Sequence, residues 1–286
     1  MYRDLLKKIE GELPSFSKGQ RAISNYILQN YDKAAYMTAA AIGKQVGVSE
    51  STVVRFATEL GFKGYPELQR ALQEVVRINL TSVQRVQLTN SIIGDGDILT
   101  KVVSADAEKI RQTLDEIDRD AFERTVDKLI AAKNIYILGA RGSSFLAGFL
   151  DHNLGMIFNN VRIVRTGSGV EMFEQLFKIT EGDVLFAISF PRYSTRVVNV
   201  VKYARDKGAD VIAMTDGIGS PIAKNATECL AAKSEMVSFV DSLAAPLSVI
   251  NALLVAIVRK KEKEFSEKLL QLEEIWDEYH VYDKNR

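Results

Sequence analysis

Two short stretches of this 286-residue chain hold most of the side chains able to do chemistry. Gly139-Ala140-Arg141-Gly142-Ser143-Ser144 and Ser189-Phe190-Pro191-Arg192-Tyr193-Ser194-Thr195 each combine several hydroxyls with an arginine. Glycines let the backbone approach an anion, hydroxyls donate to it and a guanidinium adds charge-assisted bonds, so both stretches suit a phosphate group. Thr215-Asp216-Gly217 is a shorter stretch of the same kind. The candidate ligand residues are Gly139, Arg141, Ser143, Ser144, Ser189, Arg192, Ser194 and Thr195. Glu171, after Gly167-Ser168-Gly169, joins them as a group able to hold sugar hydroxyls, act as acid or base, or cap its helix. The set suits a monophosphorylated polyol. The competing reading is that these Ser and Thr residues only cap helices. A nucleotide fits less well, because no Walker lysine precedes a Ser or Thr and the 139–142 glycines do not complete the dinucleotide fingerprint.

Turnover would need more. Sugar isomerisation requires a base at the carbon acid and a means of holding an enediolate. The two histidines are His152, on the helix expected after the first strand, and His280, in a polar tail. Asp216 and Glu235 share the ambiguity of Glu171. Cys229 is the one cysteine, so it forms no internal disulfide and builds no zinc site by itself. Binding without catalysis is therefore expected: no catalytic residue, metal or cofactor is assigned.

A second constellation lies near the start. Thr38 can cap a helix over 39–46, Gly47 supplies a left-handed stop, and Ser49 caps a further helix running to Leu60. Ile42, Val46, Val48, Val53 and Phe56 would face a shared core, with Gly43 where the helices approach. That is a helix-turn-helix, whose second helix presents its first residues to the major groove. Arg55 suits a guanine, Ser49, Ser51 and Thr52 suit bases or phosphates, and Lys44 and Lys63, with Arg21, suit phosphates. Glu50 would repel phosphate but favours the helix N-terminus. A plain helical bundle is the alternative.

The elements that must position these groups separate into two texts. Residues 1–78 read as helices, with a capping box at Ser17 and Gln20 and a fourth helix over 67–78 after Pro66. Residues 79–101, rich in Ser, Thr, Asn and the Gly94-Asp95-Gly96-Asp97 cluster, read as a linker. Helices are expected over 102–114 and 119–132. Short apolar runs at 135–138, 161–164, 184–188 and 211–214, with a weaker one at 227–231, then alternate with helical patterns. This predicts an α/β domain over 102–286 with a five-stranded parallel sheet flanked by helices.

Composition agrees. At 47% hydrophobic and 26% charged the chain is of ordinary globular type, and no apolar run nears the roughly 20 residues that span a bilayer. The start lacks the apolar core of a signal peptide, so a cytoplasmic location is expected. The net charge is zero, yet residues 1–85 hold 12 bases against 8 acids, a small excess on the segment expected to meet DNA.

With both halves in view, the chain resembles the RpiR-type bacterial transcription regulators, which join a helix-turn-helix to a sugar isomerase (SIS) domain. Val48-Ser49-Glu50-Ser51-Thr52-Val53-Val54-Arg55-Phe56, Leu60-Gly61-Phe62-Lys63-Gly64-Tyr65 and Ser189-Phe190-Pro191-Arg192-Tyr193-Ser194 carry the resemblance. It implies that Ser143, Ser144, Ser189, Ser194 and Thr195 hold a sugar phosphate. SIS enzymes usually carry a Ser-Gly step inside the second loop, where this chain has Pro191-Arg192. The implied function is a DNA-binding regulator whose operator affinity a phosphorylated sugar modulates; the alternative is a phosphosugar isomerase with an accessory helical domain. Paired half-sites would require a homodimer or homotetramer, and the apolar helix over 243–258 suits either such an interface or the core.

Overall fold

The structure, a computed structural model, describes residues 5–79, 81–93, 96–234, 236 and 240–282. The chain divides into two compact units, 1–88 and 89–286. Gly94, Asp95 and Glu235 lie outside the described residues.

The first unit is helical: α1 (Leu5–Glu12), α2 (Lys18–Gln29), α3 (Tyr31–Ala34), α4 (Ala39–Val46), α5 (Glu50–Glu59), α6 (Tyr65–Asn79) and α7 (Ser82–Ile93), the last crossing the unit boundary. Ile9, Ile23, Ile27, Ile42, Val53, Phe56, Leu68 and Leu72 are fully buried. The expected caps are present: Thr38 accepts from the Ala41 amide at 3.2 Å, Ser49 from that of Thr52 at 3.3 Å, and Gln20 from that of Ser17 at 2.8 Å. α6 begins at Tyr65, which places Pro66 in the first turn.

The second unit begins with α8 (Ile98–Glu116) and α9 (Arg119–Ala131). Five strands follow, β1 (Ile135–Gly139), β2 (Val161–Ile163), β3 (Val184–Ile188), β4 (Asp210–Thr215) and β5 (Glu228–Ala231), with helices α10 (Ser143–Ile157), α11 (Gly169–Leu176) and α12 (Thr195–Asp206) between them. α13 (Ala244–Lys260) and α14 (Glu262–Glu278) close the chain. All pairings are parallel, in the order β2-β1-β3-β4-β5. Strand alternation divides the side chains between two cores. Ile135, Ile137, Val184, Phe186, Ile188, Ile212 and Met214 meet α9, α10 and α13, whereas Tyr136, Leu138, Leu185, Ala187, Val211 and Ala213 meet α11 and α12. The helix after β1 and the helix after β3 thus lie on opposite faces, which makes β1/β3 the switch point of the sheet.

One expectation changes. The 79–101 stretch is mostly helical, because its Thr and Asp residues serve as caps rather than as loop formers. Thr81 and Gln84 form a reciprocal box at the start of α7, and Asp97 accepts from the Thr100 amide at 3.1 Å to start α8. α8 belongs to the sheet unit, where Thr113 accepts from the Lys233 amide at 2.8 Å and Asp106 from the Ser242 hydroxyl at 2.5 Å. The apolar helix over 243–258 is α13, whose Val249, Ile250, Leu253 and Ile257 are buried in the sheet core, one of the two uses expected of it.

Candidate functional site

In the first unit, α4 and α5 meet across a turn with no room to spare. A methyl group on Gly43 would come within 2.7 Å of the Val48 carbonyl oxygen, and Gly47 ends α4 at φ +75°. This fixes the exit of α5 and presents its first turns. Ser51 and Arg55 are exposed one turn apart, and Arg55 makes no hydrogen bond or ion pair among the described residues. Lys44 and Lys63 are exposed as well. Ser49 is committed to its own helix: besides its capping bond, its Oγ lies 2.9 Å from Ser51 Oγ and 2.8 Å from Thr52 Oγ1. Arg21 is drawn away from a phosphate role, since its Nε donates to the Phe16 carbonyl at 2.7 Å.

In the second unit the two serine-rich loops leave the carboxyl ends of β1 and β3, the strands of the switch point. Each loop turns on an arginine in the left-handed region, Arg141 at φ +57° and Arg192 at +65°. Left-handed geometry costs a residue with a Cβ about 1–2 kcal/mol, and a single left-handed residue beside right-handed ones turns successive amides toward a common point able to hold an anion. By the resemblance read from the sequence, Pro191-Arg192 stands in place of the Ser-Gly step usual in SIS enzymes. The backbone conformation a glycine would favour is kept, and a guanidinium is added.

The hydroxyls decide between capping and binding. Thr38, Ser49, Ser168 and Ser220 accept bonds from amides three residues ahead, as caps do. Ser143, Ser189, Ser194 and Thr195 behave differently: none of their hydroxyls makes a hydrogen bond among the described residues, although Ser143 and Ser189 are buried to 9% and 6% exposure. Ser144 is the exception in the set, its Oγ donating to the Arg141 carbonyl at 2.6 Å to close the first loop. Gly139 is a packing residue, because a methyl there would meet the Ser143 carbonyl oxygen at 2.4 Å. Its bareness lets α10 start close against β1.

Glu171 stands apart from the serines. Its amide donates to Ser168 Oγ at 3.1 Å, and its side chain lines a cavity of about 400 Å³ with Tyr136, Arg162, Arg165 and Gln175, which none of the loop serines lines. The structure also gives a contact that the sequence reading did not include. Tyr193 Oη donates to Asp216 Oδ1 at 2.6 Å, and Thr215 Oγ1 donates to the same oxygen at 3.0 Å. The β3 loop is thereby tied to the β4 loop through Oδ1 of the Asp216 carboxylate. Burial, reinforced by the Asp216 charge, pushes the Cys229 thiol up to about 11. His152 is exposed on the third turn of α10, and His280 is exposed after α14. Among the described residues no group of three or more His, Cys, Asp or Glu side chains is placed to hold a metal ion, and no helix is long and apolar enough to cross a membrane.

Residues 3–77 match the model of the helix-turn-helix domain of the rpiR family, and residues 128–256 match that of the SIS domain. The chain is 26% identical over 277 residues to the HTH-type transcriptional regulator HexR of Pseudomonas aeruginosa, covering 95% of each protein. It is 28% identical over 283 residues to HexR of Escherichia coli, covering 95% of this chain and 93% of that one. Among solved structures, the Vibrio vulnificus NanR protein complexed with ManNAc-6P shares the fold over 96% of this chain and 98% of its own, with a TM-score of 0.60 and 22% identity. The sugar isomerase domain of an RpiR transcription factor from Sphaerobacter thermophilus matches 61% of this chain and 97% of its own, at a TM-score of 0.58 and 24% identity.

Proposed function

The chain belongs to the RpiR-type transcriptional regulators, an rpiR-family helix-turn-helix followed by a SIS domain, and from that premise we propose that it binds operator DNA with an affinity set by a phosphorylated sugar. Arg55 and Ser51 read base edges from α5, with Thr52, Lys44 and Lys63 on flanking backbone. Ser143, Ser189, Ser194 and Thr195, with Arg141 and Arg192, take the phosphate at the mouth of β1 and β3. The observation that carries this reading is that those four hydroxyls are spent on no cap.

The site works by binding rather than turnover. Asp216 Oδ1 is engaged by Tyr193 and Thr215 in tying two loops together, and His152 lies on the exposed face of α10, which supports that reading. Two DNA readers on a homodimer or homotetramer would meet two half-sites, and the sugar phosphate would favour one arrangement of them.

Selection from a random duplex pool at physiological salt should enrich an inverted repeat; no enrichment, with or without a panel of sugar phosphates, would overturn the DNA half of the proposal. Ser189→Ala should lower affinity for the best sugar phosphate about 10-fold, the loss of one hydrogen bond to a charged group, while leaving operator affinity unchanged without ligand. An unaltered ligand affinity would remove Ser189 from the cradle.

A further inference from the structure

The β2 edge of the sheet carries a cavity of about 400 Å³, the size of a small-metabolite site, between β2 and α11. Tyr136 on β1 and Arg162 on β2, in register with each other, form its inner part, with Arg165, Glu171 and Gln175 around them. Tyr136 sits three residues before Gly139, where the proposed phosphate cradle begins. At the rise of a strand that is about 10 Å below the carboxyl mouth. Tyr136 also belongs to the face covered by α11 and α12, whereas α10, which follows the first serine loop, covers the other. The cavity is therefore a place apart from the cradle.

Its walls are set in advance. Gln175 Oε1 accepts from the Arg165 amide at 2.8 Å, and its Nε2 donates to the carbonyls of Arg165 and Glu171 at 3.1 and 2.9 Å, so the exit of β2 is clamped to α11. Tyr136 is only 4% exposed, yet its hydroxyl makes no hydrogen bond among the described residues. A buried phenol ordinarily finds a partner, and this one reaches the cavity instead. Burial and the Asp183 charge push it above its ordinary pKa against the pull of Arg162, so it stays a protonated donor. Opposite charges share the space without meeting. Glu171 folds back over Gly167, where a methyl would stand 2.6 Å from its Oε2, and neither it nor the exposed Arg162 and Arg165 makes an ion pair among the described residues.

The geometry points to a second ligand site in this cavity, for a free acidic amino acid. Two guanidiniums and a phenol donor against one carboxylate are the complement of two carboxylates against one ammonium. Arg162 and Arg165 each take a carboxylate of the ligand, Tyr136 donates to one of them, and Glu171 takes the ammonium. Arginines and a glutamate left unpaired with each other fit a ligand that brings both charges. A phosphate or a plain dicarboxylate would leave Glu171 facing an anion. The site involves neither DNA nor the serine loops, so it stands or falls separately from the regulator reading.

Calorimetric titration of the full-length protein with L-glutamate and L-aspartate tests it, with glutarate and succinate as matched dicarboxylates that lack the ammonium. One of the amino acids should bind saturably, at least about 10-fold tighter than its dicarboxylate, because only the amino acid satisfies Glu171. Tyr136→Phe, which keeps the buried ring, should weaken that binding about 10-fold, the loss of one hydrogen bond to a charged group. Glu171→Gln should erase the preference over the dicarboxylate. Binding of neither amino acid, equal binding of the dicarboxylates, an unaltered affinity in Tyr136→Phe, or a preference that survives Glu171→Gln would each overturn the proposal.

Discussion

Arg141 and Arg192 show how much of the site rests on single backbone angles. Arginine has no preference for positive φ, yet the loops after β1 and β3 each place one there. Such strain is retained where the surrounding structure fixes it and function uses it. Arg141 is exposed and its guanidinium makes no hydrogen bond or ion pair among the described residues, so its substitution separates the two effects cleanly. Arg141→Gly should stabilise the fold by about 0.5–1 kcal/mol, the left-handed relief less the larger entropy of an unfolded glycine. The same change should weaken sugar-phosphate binding at least about 5-fold through loss of a charge-assisted bond. Paired thermal melts and titration calorimetry check this, and a variant that is less stable, or that binds as tightly, contradicts the assignment. The clustering of hydroxyls and arginines in the candidate site is legible in the sequence from residue type alone. The left-handed angles were not, since nothing about an arginine announces them, and neither was the Tyr193–Asp216 bond, which needs the strand order to bring residues 23 positions apart together.

Elements were legible where period and cap agreed. The helix-turn-helix was read at 39–60 because Thr38, Gly47 and Ser49 punctuate a run whose buried positions match a helical face. The sheet is legible because its strands are short apolar runs, of which β1, β3 and β4 are buried on both faces. Between 79 and 101 the same logic misled: Thr81-Ser82-Val83-Gln84 and Asp97 look like loop residues, although each opens a helix. Polar residues that favour turns are those that favour caps, and only the backbone tells which use is made of them. Where α4 meets α5 the element is tight enough for one methyl to matter. Gly43→Ala would press a Cβ to 2.7 Å from a backbone carbonyl that the turn holds fixed. Overpacking of this kind costs about 1–3 kcal/mol, so the first unit should melt earlier and operator affinity should fall as α5 swings out of line. Sugar-phosphate affinity should stay as it was. Wild-type operator binding in Gly43→Ala would show that the turn does not set the reading helix.

At the scale of the whole molecule, the proposed DNA reader and the proposed ligand cradle are assigned to different units, so regulation is a matter of linkage. The zero net charge conceals a basic excess on the first unit, and the proposed anion cradle lies in the second, so the regulator reading requires that a ligand bound by one unit alter the DNA affinity of the other. Such coupling is typically about 1–3 kcal/mol, a factor of about 5–150, and it is reciprocal: saturating operator must change sugar-phosphate affinity by the factor that saturating sugar phosphate changes operator affinity. Titrations of ligand into free protein and into the operator complex, at one salt concentration, should therefore give a ratio equal to that of the two operator dissociation constants. Arg55→Ala should weaken specific DNA binding while sparing ligand affinity, and Ser189→Ala should do the reverse, because each touches one end of the linkage. Equal ligand affinities with and without operator would mean the cradle binds its sugar without informing the DNA reader, and the SIS domain would then be a binding module coupled to something other than transcription.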